Sequence, residues 1–148
     1  MAHLPSGIVV ISARVGDEFR GLTASSLVSI SLVPPLVVVG LELASATRAA
    51  VLETEAFNVS LLTRSQEFVA DRFAGRAPAI DPRWQTLPHR LGGNGIPLLE
   101  GCAAWLECRV AQTLPAGDHE IVVGEVQAAA VGQGDPLILW DRSFWTLH

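Results

Sequence analysis

The sequence predicts a mainly β fold, a closed barrel or sandwich with peripheral helices. Three observations carry that expectation. Short apolar or alternating segments recur along the chain, turn residues separate them, and only two stretches have helix-start chemistry. At 148 residues the chain has the length of one ordinary domain, so any site must be built within a single core.

The strand signals fall at Gly7 to Arg14, Leu27 to Ile30, Leu36 to Leu43, Ala56 to Leu62, Cys102 to Thr113, Ile121 to Val131 and Leu137 to Trp140. Gly16-Asp17 marks a turn after the first, and Pro34-Pro35 precedes the third. Pro115-Ala116-Gly117-Asp118 joins two long apolar segments in the manner of an antiparallel hairpin. Around Trp105, alternation places Cys102, Ala104, Leu106, Cys108 and Val110 on one face and Trp105, Glu107 and Arg109 on the other.

Two helices interrupt the strands. Ser45 is suited to cap a helix reaching about Leu52, and Thr63 with Gln66 forms a capping-box pattern opening Arg64 to Ala74. Residues 75 to 97 carry prolines and glycines without periodicity, which predicts an excursion able to cover a site.

Composition narrows the function classes. Hydrophobic residues make up 49% and charged residues 17%, an apolar balance that predicts a partner subunit over part of the surface. The net charge of −5 comes without a basic block, which argues against nucleic-acid binding. Every basic residue apart from histidine is an arginine, so lysine chemistry, including the P-loop lysine, is excluded. The first twelve residues lack a basic stretch followed by a sustained apolar run, and Val33 to Leu43 is too short and too broken by proline to span a bilayer. No membrane association and a cytoplasmic location are expected.

Familiar catalytic motifs are missing. No Gly-x-Gly-x-x-Gly follows a strand, the histidines and cysteines show no metal-ligand spacing, and no Gly-x-Ser-x-Gly elbow occurs. The sequon at Asn58-Val59-Ser60 lies inside an apolar strand and is set aside. Cys102 and Cys108, read as members of one strand, would share a face about 20 Å apart, beyond disulfide reach, and serve as small core residues. What remains is a cofactor-based or binding function.

The segment Gly21 to Val37 (GLTASSLVSISLVPPLV) resembles the Gly-Met-Thr-x-Ser-Ser-Phe-x-Ser-Val-Ser-Leu-x-Pro-Pro-Leu signature of the flavin reductase-like family. Further matches follow in the family's order: Ser45-Ala46-Thr47, Phe57 to Leu62, Arg72-Phe73, Pro97 to Gly101, Trp105 to Cys108, and Gly117-Asp118-His119 leading into Val123 to Val126. The resemblance spans essentially the whole chain. It implies a Greek-key, FMN-binding split barrel acting as a homodimer. Such proteins pass hydride from NADH or NADPH to FMN or FAD and often supply reduced flavin to a separate monooxygenase.

Carried over residue by residue, the resemblance implies flavin contacts from Thr23, Ala24, Ser25 and Ser26, whose hydroxyls, amides and small side chains suit a flat polar ring. Ser45 and Thr47 at a helix start, with Arg48 adding charge, would receive a phosphate. Asn58, Val59, Ser60 and Phe73 would line the ring. His119 would lie where nicotinamide stacks and is the candidate catalytic residue; no metal is implied. Taken alone, the residues leave Asn58 open as an ordinary buried strand residue, Phe73 as core and His119 as a turn-stabilising side chain. Two other functions also stay open: a non-catalytic flavin-binding electron carrier, and a split-barrel oxidase of a small substrate.

Overall fold

The structure, a computed structural model, describes residues 3–74 and 83–146. Its strands are β1 Ser6–Gly7, β2 Val9–Val15, β3 Glu18–Ala24, β4 Val28–Leu32, β5 Pro35–Glu42, β6 Ala56–Leu61, β7 His89–Leu91, β8 Pro97–Leu99, β9 Ala104–Ala116, β10 His119–Val131, β11 Leu137–Trp140 and β12 Ser143–Thr146. The helices are α1 Ala46–Thr54, α2 Glu67–Arg72, which follows a 3₁₀ turn at Arg64–Gln66, and α3 Arg83–Thr86. The expected mainly β architecture is observed. Seven strands form one sheet in the order β3-β2-β6-β9-β10-β5-β4, and every pairing within it is antiparallel.

β2 explains how this sheet serves two cores. Its side chains alternate, so Val9, Ile11 and Ala13 enter one apolar cluster while Ile8, just before the strand, and Val10 enter another. The first cluster lies inside the curl of the sheet with Val37, Val39, Leu41, Phe57, Val59, Cys108 and Val122. Ala50 and Val51 of α1 close it. Ser45 caps α1, and Glu55 ends it in the left-handed region at φ 57°. The curl is tight enough that β3 touches β5, although the two lie near opposite ends of the sheet.

The second cluster lies on the other face and joins Leu62, Val69, Phe73, Trp84, Leu87, Leu99, Cys102 and Leu137. Part of the excursion read from the sequence is spent here. α3 and the β7–β8 hairpin cover this core, burying Trp84, Leu87, Ile96, Leu98 and Leu99. Residues 75–82 of the excursion lie outside the described residues.

Several sequence readings are corrected. β3, β7, β8 and β12 have no counterpart among the expected strands, because Glu18–Ala24 mixes charge with glycine, and the others are short. The β9–β10 hairpin turns on Gly117-Asp118 alone, with Pro115 paired opposite Glu120 inside the ladder. Cys102 precedes β9 and packs in the second core, whereas Cys108 packs in the first. The two therefore share neither strand nor face, although both are buried and unbridged.

Gly124 sits at a register shift of the β9–β10 ladder, where the ring of Phe57 fills the space a side chain would need. A methyl there would lie 2.5 Å from Phe57 Cζ and 3.2 Å from Cys108 Cβ. Because Phe57 is fully buried it has nowhere to retreat. Gly124→Ala is expected to destabilise the fold by about 1–3 kcal/mol in urea denaturation, and by clearly less in a Phe57→Leu background.

Burial pushes the Cys102 thiol up to about 11, against smaller lowering effects from Gln66, Arg90 and Ser60. Burial likewise pushes Cys108 up to about 12, with the Glu107 charge adding to the rise. A thiol that ionises more readily in the unfolded chain withdraws stability as pH climbs. The stability these thiols contribute is therefore complete below about pH 9 and is lost towards about pH 11–12. The chain has neither lysine nor tyrosine to confuse that range. Denaturation midpoints should fall between about pH 8 and about pH 10 in the wild type and stay nearly level in a Cys102→Ala/Cys108→Ala double variant.

Candidate functional site

Where β3 approaches β5, the curled sheet leaves a seam. β3 is the last strand on its side, so its outer edge pairs with no neighbouring strand among the described residues. A cavity of about 520 Å³ occupies the seam, lined by Gly21–Ser26, by Gly40 and Glu42 of β5, by Ala44–Thr47 leading into α1, and by Phe73 and His119. That volume lies within the range of small-molecule sites, and its lining mixes apolar surface with hydroxyls and backbone amides.

Each wall has a local cause. Ser26 Oγ donates to Gly40 O and accepts from Gly40 N–H, both at 3.1 Å, and so ties the segment after β3 to β5 across the seam. Thr23 Oγ1 donates to Ala70 O at 2.6 Å, and Thr23 N–H donates to Phe73 O at 2.9 Å. These bonds pin the end of α2 against β3. The ring of Phe73 then rests on Gly21, where a methyl would lie 2.8 Å from Phe73 Cε1, so the bare backbone is what admits the ring. Trp84 backs Phe73 at a ring separation of 5.0 Å.

The start of α1 faces the cavity. Ser45 Oγ accepts from the N–H groups of Thr47 and Arg48 at 3.1 and 3.3 Å, which leaves its own O–H to donate. Together with the Ala46 N–H, the first of the helix, it makes a small anion-receiving end. Across from it stands His119, whose Nδ1 bonds Asp118 Oδ1 at 2.7 Å. The bond and the charge of His119 hold the Asp118 carboxyl below its ordinary range, and an ionised carboxylate only accepts, so Nδ1 carries the proton. The carbon edge of the ring points at Gly40, where a methyl would lie 3.6 Å from His119 Cδ2 and equally far from Ser26 Oγ.

Of the residues singled out from the sequence, the fold brings Thr23, Ala24, Ser25, Ser26, Ser45, Thr47, Phe73 and His119 to one cavity. It does not bring Asn58, Val59 or Ser60 there. Val59 packs in the first core. Asn58 Nδ2 donates to Asn94 Oδ1 and Ile96 O at 3.1 and 3.0 Å, and Ser60 Oγ accepts from Leu99 N–H at 3.1 Å. The β7–β8 hairpin needs these polar groups to satisfy its buried backbone. Arg48 also stands apart from the lining, since Nη2 and Nε both reach Glu120 Oε1, at 2.6 and 3.2 Å, and Nη1 donates to Leu43 O at 3.0 Å. Sequence reasoning missed Gly21, Gly40 and Glu42 as lining residues. Gly21 carried a signal, being the first residue of the matched segment; Gly40 and Glu42 arrive through the approach of β5 to β3 and its pairing with β10.

A seam of this size and chemistry, carried by paired strands, defines a protein that binds a small organic molecule or cofactor. The family model described as the flavin reductase-like domain matches residues 1–148, and the chain belongs to that family. It is 40% identical over 153 residues to the reductase component of 4-hydroxyphenylacetate 3-monooxygenase from Thermus thermophilus, covering 97% of this chain and 90% of that protein. It is 35% identical over 151 residues to an NADH-dependent flavin reductase of a Rhodococcus species, covering 100% and 83%. Among solved structures, the flavin reductase component of a bacterial two-component tryptophan halogenase superposes with a TM-score of 0.91 at 34% identity, covering 99% of this chain and 92% of that one.

Proposed function

We propose that this protein is an NAD(P)H-dependent flavin reductase of the split-barrel type, supplying reduced FMN or FAD to a separate monooxygenase. The observation that carries the reading is the cavity itself, a seam in which eight of the residues that the resemblance singles out as site residues converge beside a capped helix start. The donor set fits a flavin. Small Ala24 and the bare backbone at Gly40 leave room for a planar ring beside the strands, and Gly21 admits the Phe73 ring that walls it. Phe73 offers an apolar edge, and Ser45 Oγ–H with Ala46 N–H receives a tail phosphate.

A bound flavin supplies the redox chemistry, accepting a hydride from reduced nicotinamide through its own ring. The protein's task is to hold, orient and partly desolvate. Thr23 and Ser26 do so indirectly, because their hydroxyls are committed to the walls and keep the seam's width fixed. His119 is half-exposed at the mouth of the cavity, where an incoming nicotinamide would meet it, with its ring held by Asp118. Relatives named as NADH-dependent reductases support NADH as the donor, and reductase components of two-component systems support a monooxygenase as the recipient. Flavin-dependent loss of NADH absorbance by purified protein is the expected result. A flat trace with riboflavin, FMN and FAD alike would end the reading.

The same reading includes a homodimer. β4 is the other end strand of the sheet, and Val28, Ile30 and Leu32 stand exposed along it, followed by Val33 in the turn. Val131, at the end of β10, is also exposed. An apolar edge strand left in water invites pairing, and a second copy is the partner always at hand. β4 begins two residues after Ser26, so a copy seated there would abut the cavity. Light scattering should give twice the chain mass, and Ile30→Glu/Leu32→Glu should give a single chain mass; a monomeric wild type would refute the dimer.

A further inference from the structure

We infer that Asn94, followed by Gly95 in the turn of the β7–β8 hairpin, is a site of spontaneous deamidation that its pairing with Asn58 holds in check. Conversion of Asn94 to aspartate or isoaspartate then releases the hairpin from the sheet. This goes beyond the reading of the cavity and does not depend on it.

The reaction is intrinsic to the two residues. Asparagine is thermolabile because the backbone nitrogen of the next residue can attack its side-chain carbonyl carbon, and a glycine in that place has no Cβ to obstruct the approach. The Gly95 nitrogen gives its proton to water and bonds to Asn94 Cγ, while the bond from Cγ to Nδ2 breaks and Nδ2 leaves as ammonia. Water then opens the succinimide at one of its two carbonyls, giving aspartate or isoaspartate. Asn94 is exposed, so the one co-reactant, water, reaches it.

The closed hairpin opposes each part of this step. Asn94 Nδ2, the leaving group, donates to Asn58 Oδ1 at 2.7 Å. Asn94 Oδ1 accepts from Asn58 Nδ2 at 3.1 Å and from Ile96 N–H at 3.2 Å, so three bonds hold the amide plane. The attacking group, Gly95 N–H, donates to Gly92 O at 3.0 Å. Asn58 is fully buried in β6, and its Nδ2 also donates to Ile96 O at 3.0 Å, so it cannot follow Asn94 as it turns.

The product cannot rebuild the pair. A carboxylate only accepts, so Asn58 Oδ1 would lose the donor it has and stay buried without it. Turning the Asn58 amide round would offer the carboxylate a donor but withdraw the one that serves Ile96 O. The new charge would also stand on the residue whose N–H donates to Glu107 Oε1 at 3.3 Å, setting two carboxylates close together. Isoaspartate lengthens the backbone between Leu91 and Pro97, which pair across the hairpin.

The test follows the full-length protein in mildly alkaline buffer and reads, by mass spectrometry, the amide-to-acid mass gain at Asn94. A synthetic peptide of residues 90–98 should deamidate about tenfold faster than the native protein or more, the factor that two or three broken hydrogen bonds represent. Asn58→Ala should raise the rate in the folded protein by about tenfold. Asn94→Asp carries the product from the start. It should raise trypsin cleavage after Arg90 by about tenfold, since that guanidinium lies 4.5 Å from the centre of the Trp105 ring while the hairpin is closed. Equal rates in peptide and native protein overturn the inference, as does a folded Asn58→Ala protein with the wild-type rate or an Asn94→Asp protein cleaved no faster than the wild type. If Asn58→Ala does not fold, the wild type decides. Below its unfolding transition, deamidation at Asn94 and cleavage after Arg90 should climb together as urea is added, because one opening exposes both. A deamidation rate that stays flat while cleavage climbs overturns the inference.

Discussion

The architecture depends on β2 being buried on both faces. A strand whose alternate side chains all avoid water must be covered twice, and this chain covers β2 once with its own curled sheet and α1, and once with α2, α3 and the strands around them. The first covering forces the sheet to roll until β3 meets β5. The second fixes Phe73 and Trp84 against the outer side of β3. The cavity is the place where these two demands meet and the roll stays open.

Preorganisation at this seam is achieved mainly with bonds that a ligand never sees. Thr23 and Ser26 would pass for ligand donors by residue type, yet they hold the strand ends in place. The cost of ordering these groups is met on folding, so binding need not supply it again. Arg48 follows the same logic with the opposite sign, since its charge is neutralised within the protein before any ligand arrives.

Much of this was legible from residue order. The long strands announced themselves by apolar alternation, Ser45 by its capping chemistry, and Thr63 with Gln66 by a capping box that forms as read. The match across Gly21 to Val37, together with the motifs that follow it, pointed to the family and to most of the lining. β3 was illegible because it is an edge strand with a half-exposed face, so its pattern of charge, glycine and threonine obeys no clean period. Asn58 and Ser60 were ambiguous for a related reason. A polar residue in a buried strand must bond to something, and sequence cannot say whether that partner is a ligand or a neighbouring loop.

Sequence by itself determined the β class, the family, the helix that starts at the cavity and the chemical types available there, because each rests on local propensity or on a motif read along the chain. Tertiary structure alone decided which of those groups remain available. The β7–β8 hairpin claims Asn58 and Ser60, Glu120 claims Arg48, and the approach of β3 to β5 brings Gly40 and Glu42 into the wall. Hydrogen-bonding capacity and charge are properties of a residue, but whether they are already spent is a property of its neighbours, and those neighbours lie 36 to 72 positions away along the chain.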